Sequence, residues 1–142
     1  MSRPIGRLTA AIAALALAAC STSTTSSGGR LEGTAWRAES IDGRPALDVQ
    51  QQSTLRFFDR QLAGGSLGCN AYSTTYFADA AGLRFGEIAP TRKMCPAPTM
   101  DQEARFSTAL QATSSSRVDE KGALVLLDAQ GKPLARLLPM AP

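Results

Sequence analysis

The sequence predicts an α+β domain, an antiparallel sheet curled around or covered by one helix. Three observations predict it. Short segments alternate apolar and polar residues, as half-buried strands do. A single stretch carries the 3.6-residue apolar repeat of a helix. The order is about five strands, the helix, then two or three more strands, which places the helix inside a sheet-forming run.

The strands follow in order. Thr34 to Ile41 sets Trp36 and Ala38 on one side and Arg37 and Glu39 on the other. Ser53 to Phe58 puts Leu55 and Phe57 together, with Arg56 opposite. Gln61 to Leu67 and Tyr72 to Phe77 read as partners, with Gly64, Gly65 and Gly68 bending or bulging the chain between them. Leu83 to Ile88 turns Leu83 and Phe85 inward. Ala123 to Leu127 and Leu134 to Leu138 flank the turn Asp128-Ala129-Gln130-Gly131.

The helix has a start and a face. Thr99 is placed to cap it, with Gln102 as the capping-box partner. Asp101 and Glu103 then fall in the first turn, where the helix dipole favours acids. Phe106, Ala109, Leu110 and Thr113 form the apolar face. Pro96 and Pro98 precede it, and Ser114-Ser115-Ser116 follows it.

Ahead of the domain the chain reads as an address and an anchor. Residues 1–19 form a lipoprotein signal peptide: Arg3 and Arg7, then an apolar stretch from Leu8 to Ala19. That stretch suits a signal core and falls short of the ~20 residues of a spanning helix. Leu17-Ala18-Ala19-Cys20 resembles the lipobox of bacterial lipoprotein precursors, and lipidation is expected at Cys20. Two or three acyl chains at one residue hold a protein to a membrane where one chain binds only marginally. An ordinary signal cut after Ala19 is the competing reading. Residues 20–30, rich in Ser, Thr and Gly, form a flexible tether. Residues 31–139 form the globular domain. By similarity to known lipoprotein sorting, Ser21 favours the outer membrane, with the domain facing the periplasm.

Composition narrows the function. The chain of 142 residues has room for one core, and 44% apolar residues suffice to build it. Net charge is +3, and removal of Arg3 and Arg7 leaves about one net positive charge. Basic residues are scattered, with Arg92-Lys93 the densest spot, which argues against a nucleic-acid partner. There is no histidine. That excludes Ser-His-Asp and Cys-His catalysis and imidazole metal sites. No carboxylate pair, calcium-loop spacing, nucleophile elbow or phosphate-binding glycine loop is present. The expectation is a non-enzyme with no cofactor and no metal.

With Cys20 acylated, Cys69 and Cys95 remain. A pair in an oxidising compartment points to a disulfide; two buried free thiols are the alternative. Asn70 is read either as a ligand-binding amide or as a turn residue satisfying backbone groups. Arg92-Lys93 is read as an anion-binding pair or a solvated loop. Trp36, Tyr72, Tyr76, Phe77 and Phe85 are read as core aromatics or as the lining of an apolar pocket.

The middle of the domain holds Gly68-Cys69-Asn70-Ala71-Tyr72, then Tyr76, Leu83-Arg84-Phe85-Gly86 and Thr91-Arg92-Lys93-Met94-Cys95. Met100, Glu103, Phe106 and Leu110 follow. This run resembles the META domain family, which includes the heat-shock protein HslJ. The similarity extends from Thr34-Ala35-Trp36 through Leu138. Its motif residues here are Gly68, Cys69, Asn70, Tyr72, Thr91, Met94, Cys95 and Glu103. Ser73-Thr74-Thr75 departs from members that carry a glycine between the two tyrosines.

The resemblance implies a partly open β-barrel interrupted by a helix, as in secretin pilot lipoproteins. It also implies an envelope or stress-associated module. Two functions fit. One is a binding or stabilising module with an envelope protein partner. The other is a pilot-like carrier of an acyl chain or lipid, which requires an apolar cavity reaching the surface.

Overall fold

The computed structural model describes residues 30–48, 50 and 52–141. The signal segment and the Cys20 anchor lie outside the described residues, as does the tether before Arg30. The elements are β1 (Ala35–Ile41), β2 (Arg44–Pro45), β3 (Thr54–Phe57), β4 (Leu62–Ser66), β5 (Ala71–Asp79), β6 (Gly82–Phe85), β7 (Ala89–Pro90), α1 (Ala97–Ala112), β8 (Ser115–Val118), β9 (Leu124–Leu127) and β10 (Pro133–Met140).

The strands form one antiparallel sheet in the order β6-β5-β4-β3-β1-β10-β9-β8, with β2 pairing β1 and β7 pairing β5. The sheet curls until its two ends nearly meet. Across the seam, Leu83 N–H donates to the Ser114 carbonyl at 3.1 Å. The product is a nearly closed barrel with one helix, the α+β architecture the sequence predicts. Bulges between Ala38 and Ser40, and between Pro133 and Ala135, interrupt the β1–β10 and β10–β9 registers. An extra residue at such points increases local twist, which helps a sheet to curl.

The alternating pattern is realised. Trp36, Ala38, Leu55, Phe57, Tyr72, Tyr76 and Leu83 are all buried. Phe77 departs from the core assignment and is 48% exposed. Tyr76 and Phe77 are consecutive in β5 and therefore face opposite sides of the sheet. Phe85 is half-buried and packs against Phe57, ring centroids 6.1 Å apart.

The helix brings Phe106, Ala109 and Leu110 into the core, as its spacing predicts. Burial of a side chain such as Phe106 stabilises the fold by ~1.5–3 kcal/mol. Phe106 meets Tyr72 edge to face, centroids 6.4 Å apart.

The helix start differs from the expectation. α1 begins at Ala97 with Pro96 as N-cap and no side-chain cap, and the Thr99 and Met100 N–H groups donate to the Pro96 carbonyl. Pro98 sits in the first turn, where a missing N–H costs nothing. Thr99 is thus inside the helix, and no acid lies in its first turn. Asp101 instead pairs with Arg105 one turn on, at 3.0 Å. Gln102 and Glu103 turn inward.

Candidate functional site

The motif residues converge at one end of the barrel. Gly68, Cys69 and Asn70 make the turn between β4 and β5, Thr91 to Cys95 run from β7 toward α1, and Glu103 reaches in from the helix. Gly68 has φ of 146°, a conformation that favours glycine, and its N–H donates to Ser66 Oγ at 3.1 Å.

Glu103 is 5% exposed and binds this turn directly. Its Oε2 accepts the Cys69 N–H at 2.8 Å and the Asn70 N–H, and its Oε1 accepts Asn70 Nδ2–H at 2.9 Å. A buried carboxylate is tolerable where backbone and amide donors surround it.

Asn70, 3% exposed, passes the linkage on. Its Oδ1 accepts Thr91 Oγ1–H at 2.9 Å and Lys93 N–H at 2.6 Å. Its Nδ2 also donates to the Lys93 carbonyl at 3.0 Å. A disulfide joins Cys69 to Cys95, with Cα atoms 6.4 Å apart. Asn70 therefore satisfies backbone groups, the second of its two sequence readings. Every polar atom of its side chain is occupied in holding the Thr91–Cys95 segment.

Two motif residues stand apart. Tyr72 faces the core; its hydroxyl donates to the Thr54 carbonyl at 2.9 Å, and burial pushes its phenol above the usual tyrosine range. Met94 points the other way and is 91% exposed. Arg92 and Lys93 precede it, both exposed. Beside them lies a groove of about 390 Å³, lined by Leu67, Pro90, Met94, Met100 and Ala104 among others.

The sequence reading missed two features. Gln102, placed there as a capping partner, is fully buried. Its Nε2 donates to Ser53 Oγ at 3.0 Å and its Oε1 accepts Leu47 N–H at 2.7 Å. Ser53 in turn donates to the Leu67 carbonyl at 2.6 Å. Nothing in local spacing signals this link, because its partners lie about 50 residues away in sequence.

The second feature is a half-open groove of about 770 Å³ at the other end of the barrel. Leu31, Tyr76, Leu83, Val118 and Leu124 line it, with Arg30, Glu32, Asp79 and Arg117 also contributing. Burial, and then the Glu32 charge, raise the Tyr76 phenol pKa. The groove is lined by residues of both β6 and β8, Gly82 and Leu83 on one side of the seam and Ser115 to Val118 on the other, a consequence of sheet closure that one-dimensional patterning does not contain.

Among the described residues, no group of three or more His, Cys, Asp or Glu is placed to hold a metal ion. No helix among them is long and apolar enough to cross a membrane.

The model of the META domain matches residues 29–141, most of the chain. The chain belongs to the META domain family. META-domain membership agrees with the resemblance read from the sequence. Two solved structures share the fold. An NMR structure of a protein from Burkholderia xenovorans is 22% identical with a TM-score of 0.64, the match covering 79% of this chain and 85% of that one. A second NMR structure is 24% identical with a TM-score of 0.57, covering 75% of this chain and 89% of the other. None of the curated proteins compared matches this META-domain sequence.

Proposed function

We propose that this META-family protein is a non-enzymatic binding or stabilising module of the bacterial envelope, acting under stress. A lipid on Cys20 anchors it to the outer membrane, facing the periplasm, and the partner is an envelope protein. One observation carries the binding reading. The buried Glu103 is committed to the Cys69–Asn70 turn and Asn70 to the Thr91–Lys93 segment, and that segment leads into an exposed Met94 ahead of the cross-linked Cys95. Buried groups spent in this way support presentation of a surface rather than proton or group transfer.

The test has two arms. Inhibition of lipoprotein signal peptidase is expected to accumulate an unprocessed precursor; unaffected processing removes the anchor. A deletion strain under envelope stress is expected to be rescued by the wild-type protein and not by Cys20→Ala. Equal rescue by both removes the need for the membrane.

A second reading, the acyl-chain or lipid carrier, draws on the 770 Å³ groove, whose volume suits a small apolar ligand. Its charged lining residues and the fully buried Leu83 and Leu124 at its floor count against a deep acyl tunnel. Native mass spectrometry of the purified protein with a medium-chain fatty acid discriminates: a retained adduct sensitive to Val118→Glu supports the carrier.

A further inference from the structure

We propose that the Arg92–Met94 segment and its adjoining groove dock an extended acidic peptide that carries an apolar side chain. The inference rests on the binding-module reading and assigns that module its contact surface.

The segment is tied down on one side. Thr91 N–H donates to the Ala71 carbonyl, the Lys93 N–H and carbonyl are bound to Asn70, and Cys95 is cross-linked to Cys69. The backbone groups of Thr91 and Lys93 thus point to the body of the protein, while the Lys93 side chain is exposed. In an extended chain the backbone groups of the alternate residues Arg92 and Met94 then point outward. An extended partner could pair with that outer edge as a strand adds to a sheet.

Side-chain chemistry selects the partner. Among the described residues, neither Arg92 nor Lys93 forms a salt bridge. Both are exposed beside the groove. Glu103 also borders the groove, but its oxygens are occupied by Cys69 and Asn70. The available charge at the rim is therefore positive. The groove below is lined by Leu67, Pro90, Met94, Met100 and Ala104. Methionines adapt to varied apolar side chains, as they do on promiscuous binding surfaces. Because the loop is already braced, little ordering entropy opposes binding.

Position favours a peptide over the anchoring membrane. β5 has nine residues, about 30 Å at ~3.3 Å per residue. Its Tyr72 end pairs with β7 beside the braced loop. Its Asp79 end lines the mouth groove together with Arg30, where the preceding chain joins the barrel. The loop and the chain entry thus occupy opposite ends of the strand, so a domain tethered through Arg30 presents Met94 away from its own attachment.

The probe is a blocked synthetic peptide, Glu-Asp-Leu-Phe-Asp-Glu, titrated into the disulfide-intact domain and followed by amide NMR. Shifts are expected at Arg92 to Met94, Met100 and Ser107. Arg92→Glu with Lys93→Glu should weaken binding at least about tenfold, a loss of ~1.4 kcal/mol. Met94→Ala should weaken it with the rest of the spectrum unchanged, which separates docking from folding. No shifts, equal binding of a Lys-substituted peptide, or shifts confined to the mouth groove overturn the proposal. Binding of phosphatidylglycerol vesicles through Arg92 to Met94 in place of the peptide also overturns it.

Photo-crosslinkers at Met94 and Arg117 of the full chain in cells separate the two readings. Products from Arg117 alone overturn this site and leave the binding module standing. No products from either position, with no peptide shifts, overturn both.

Discussion

Glu103 is the residue on which the motif depends. It replaces water for two backbone N–H groups and one side-chain amide in a tight, buried turn. Glu103→Ala leaves those donors without acceptors and should cost ~3–5 kcal/mol; Glu103→Gln keeps one acceptor and should cost about half as much. Urea midpoints of the two variants check this, and equal stability of wild type and Ala would contradict the role. The sequence marked Glu103 as a motif residue but assigned it to the helix dipole. Its real partners sit more than 30 residues earlier. Periodicity places a residue on a helix face, yet it does not say which turn that face meets. Asn70 shows the same limit. Its composition allowed a ligand or a turn role, and only the convergence of Lys93, Thr91 and Glu103 decides between them.

At the scale of elements, turns and the seam set the shape. Three aspartates organise hairpin turns by accepting backbone N–H groups: Asp79 from Ala81 and Gly82, Asp119 from Lys121 and Ala123, Asp128 from Gln130 and Lys132. Asp119 also pairs with Arg136, and these bonds, led by the one from Ala123, hold its carboxyl below the usual carboxylate range. At the seam, Gly82 has φ of 146° and lies so close to the Ser114 carbonyl that a Cβ would collide with it. Gly82→Ala should therefore open the β6–β8 closure and destabilise by more than ~1 kcal/mol. A lowered melting temperature, with faster amide exchange at Leu83, is the expected readout. Strong alternation made most longer strands readable. The two-residue strands β2 and β7 and the Ser-rich β8 were not, since they are too short or too polar for periodicity to detect. The helix face was readable from Phe106 to Leu110, but its start was not. Pro98 looked like a boundary, whereas the first turn accepts proline.

For the whole molecule, the sheet is the most extensive long-range constraint and the disulfide a covalent one. Cys69 and Cys95 close a loop with a sequence separation of 26, worth roughly 3–4 kcal/mol on the chain-entropy model. Cys69→Ser with Cys95→Ser should lower stability by about that amount and loosen the Thr91–Cys95 segment first. Hydrogen exchange measured segment by segment tests this; uniform loosening across the sheet would contradict it. The α+β class and the helix-in-a-sheet order were readable from element types alone. Barrel closure was not, because it depends on bulges, on the Gly82 seam and on which strands become neighbours.

The neighbours of β1 have a consequence for how the chain is made. β1 sits in the middle of the sheet order, and one of its partners is the final strand, with Ala35 opposite Met140. A chain emerging N-terminus first, from a ribosome or a translocation channel, carries β1 with one flank bare until β10 appears. The hairpins on either side can form early, and before β10 arrives the two halves can meet only through the β6–β8 seam and the helix. Completion of the sheet is thereby deferred until β10 has emerged, which leaves the preceding strands threadable until then.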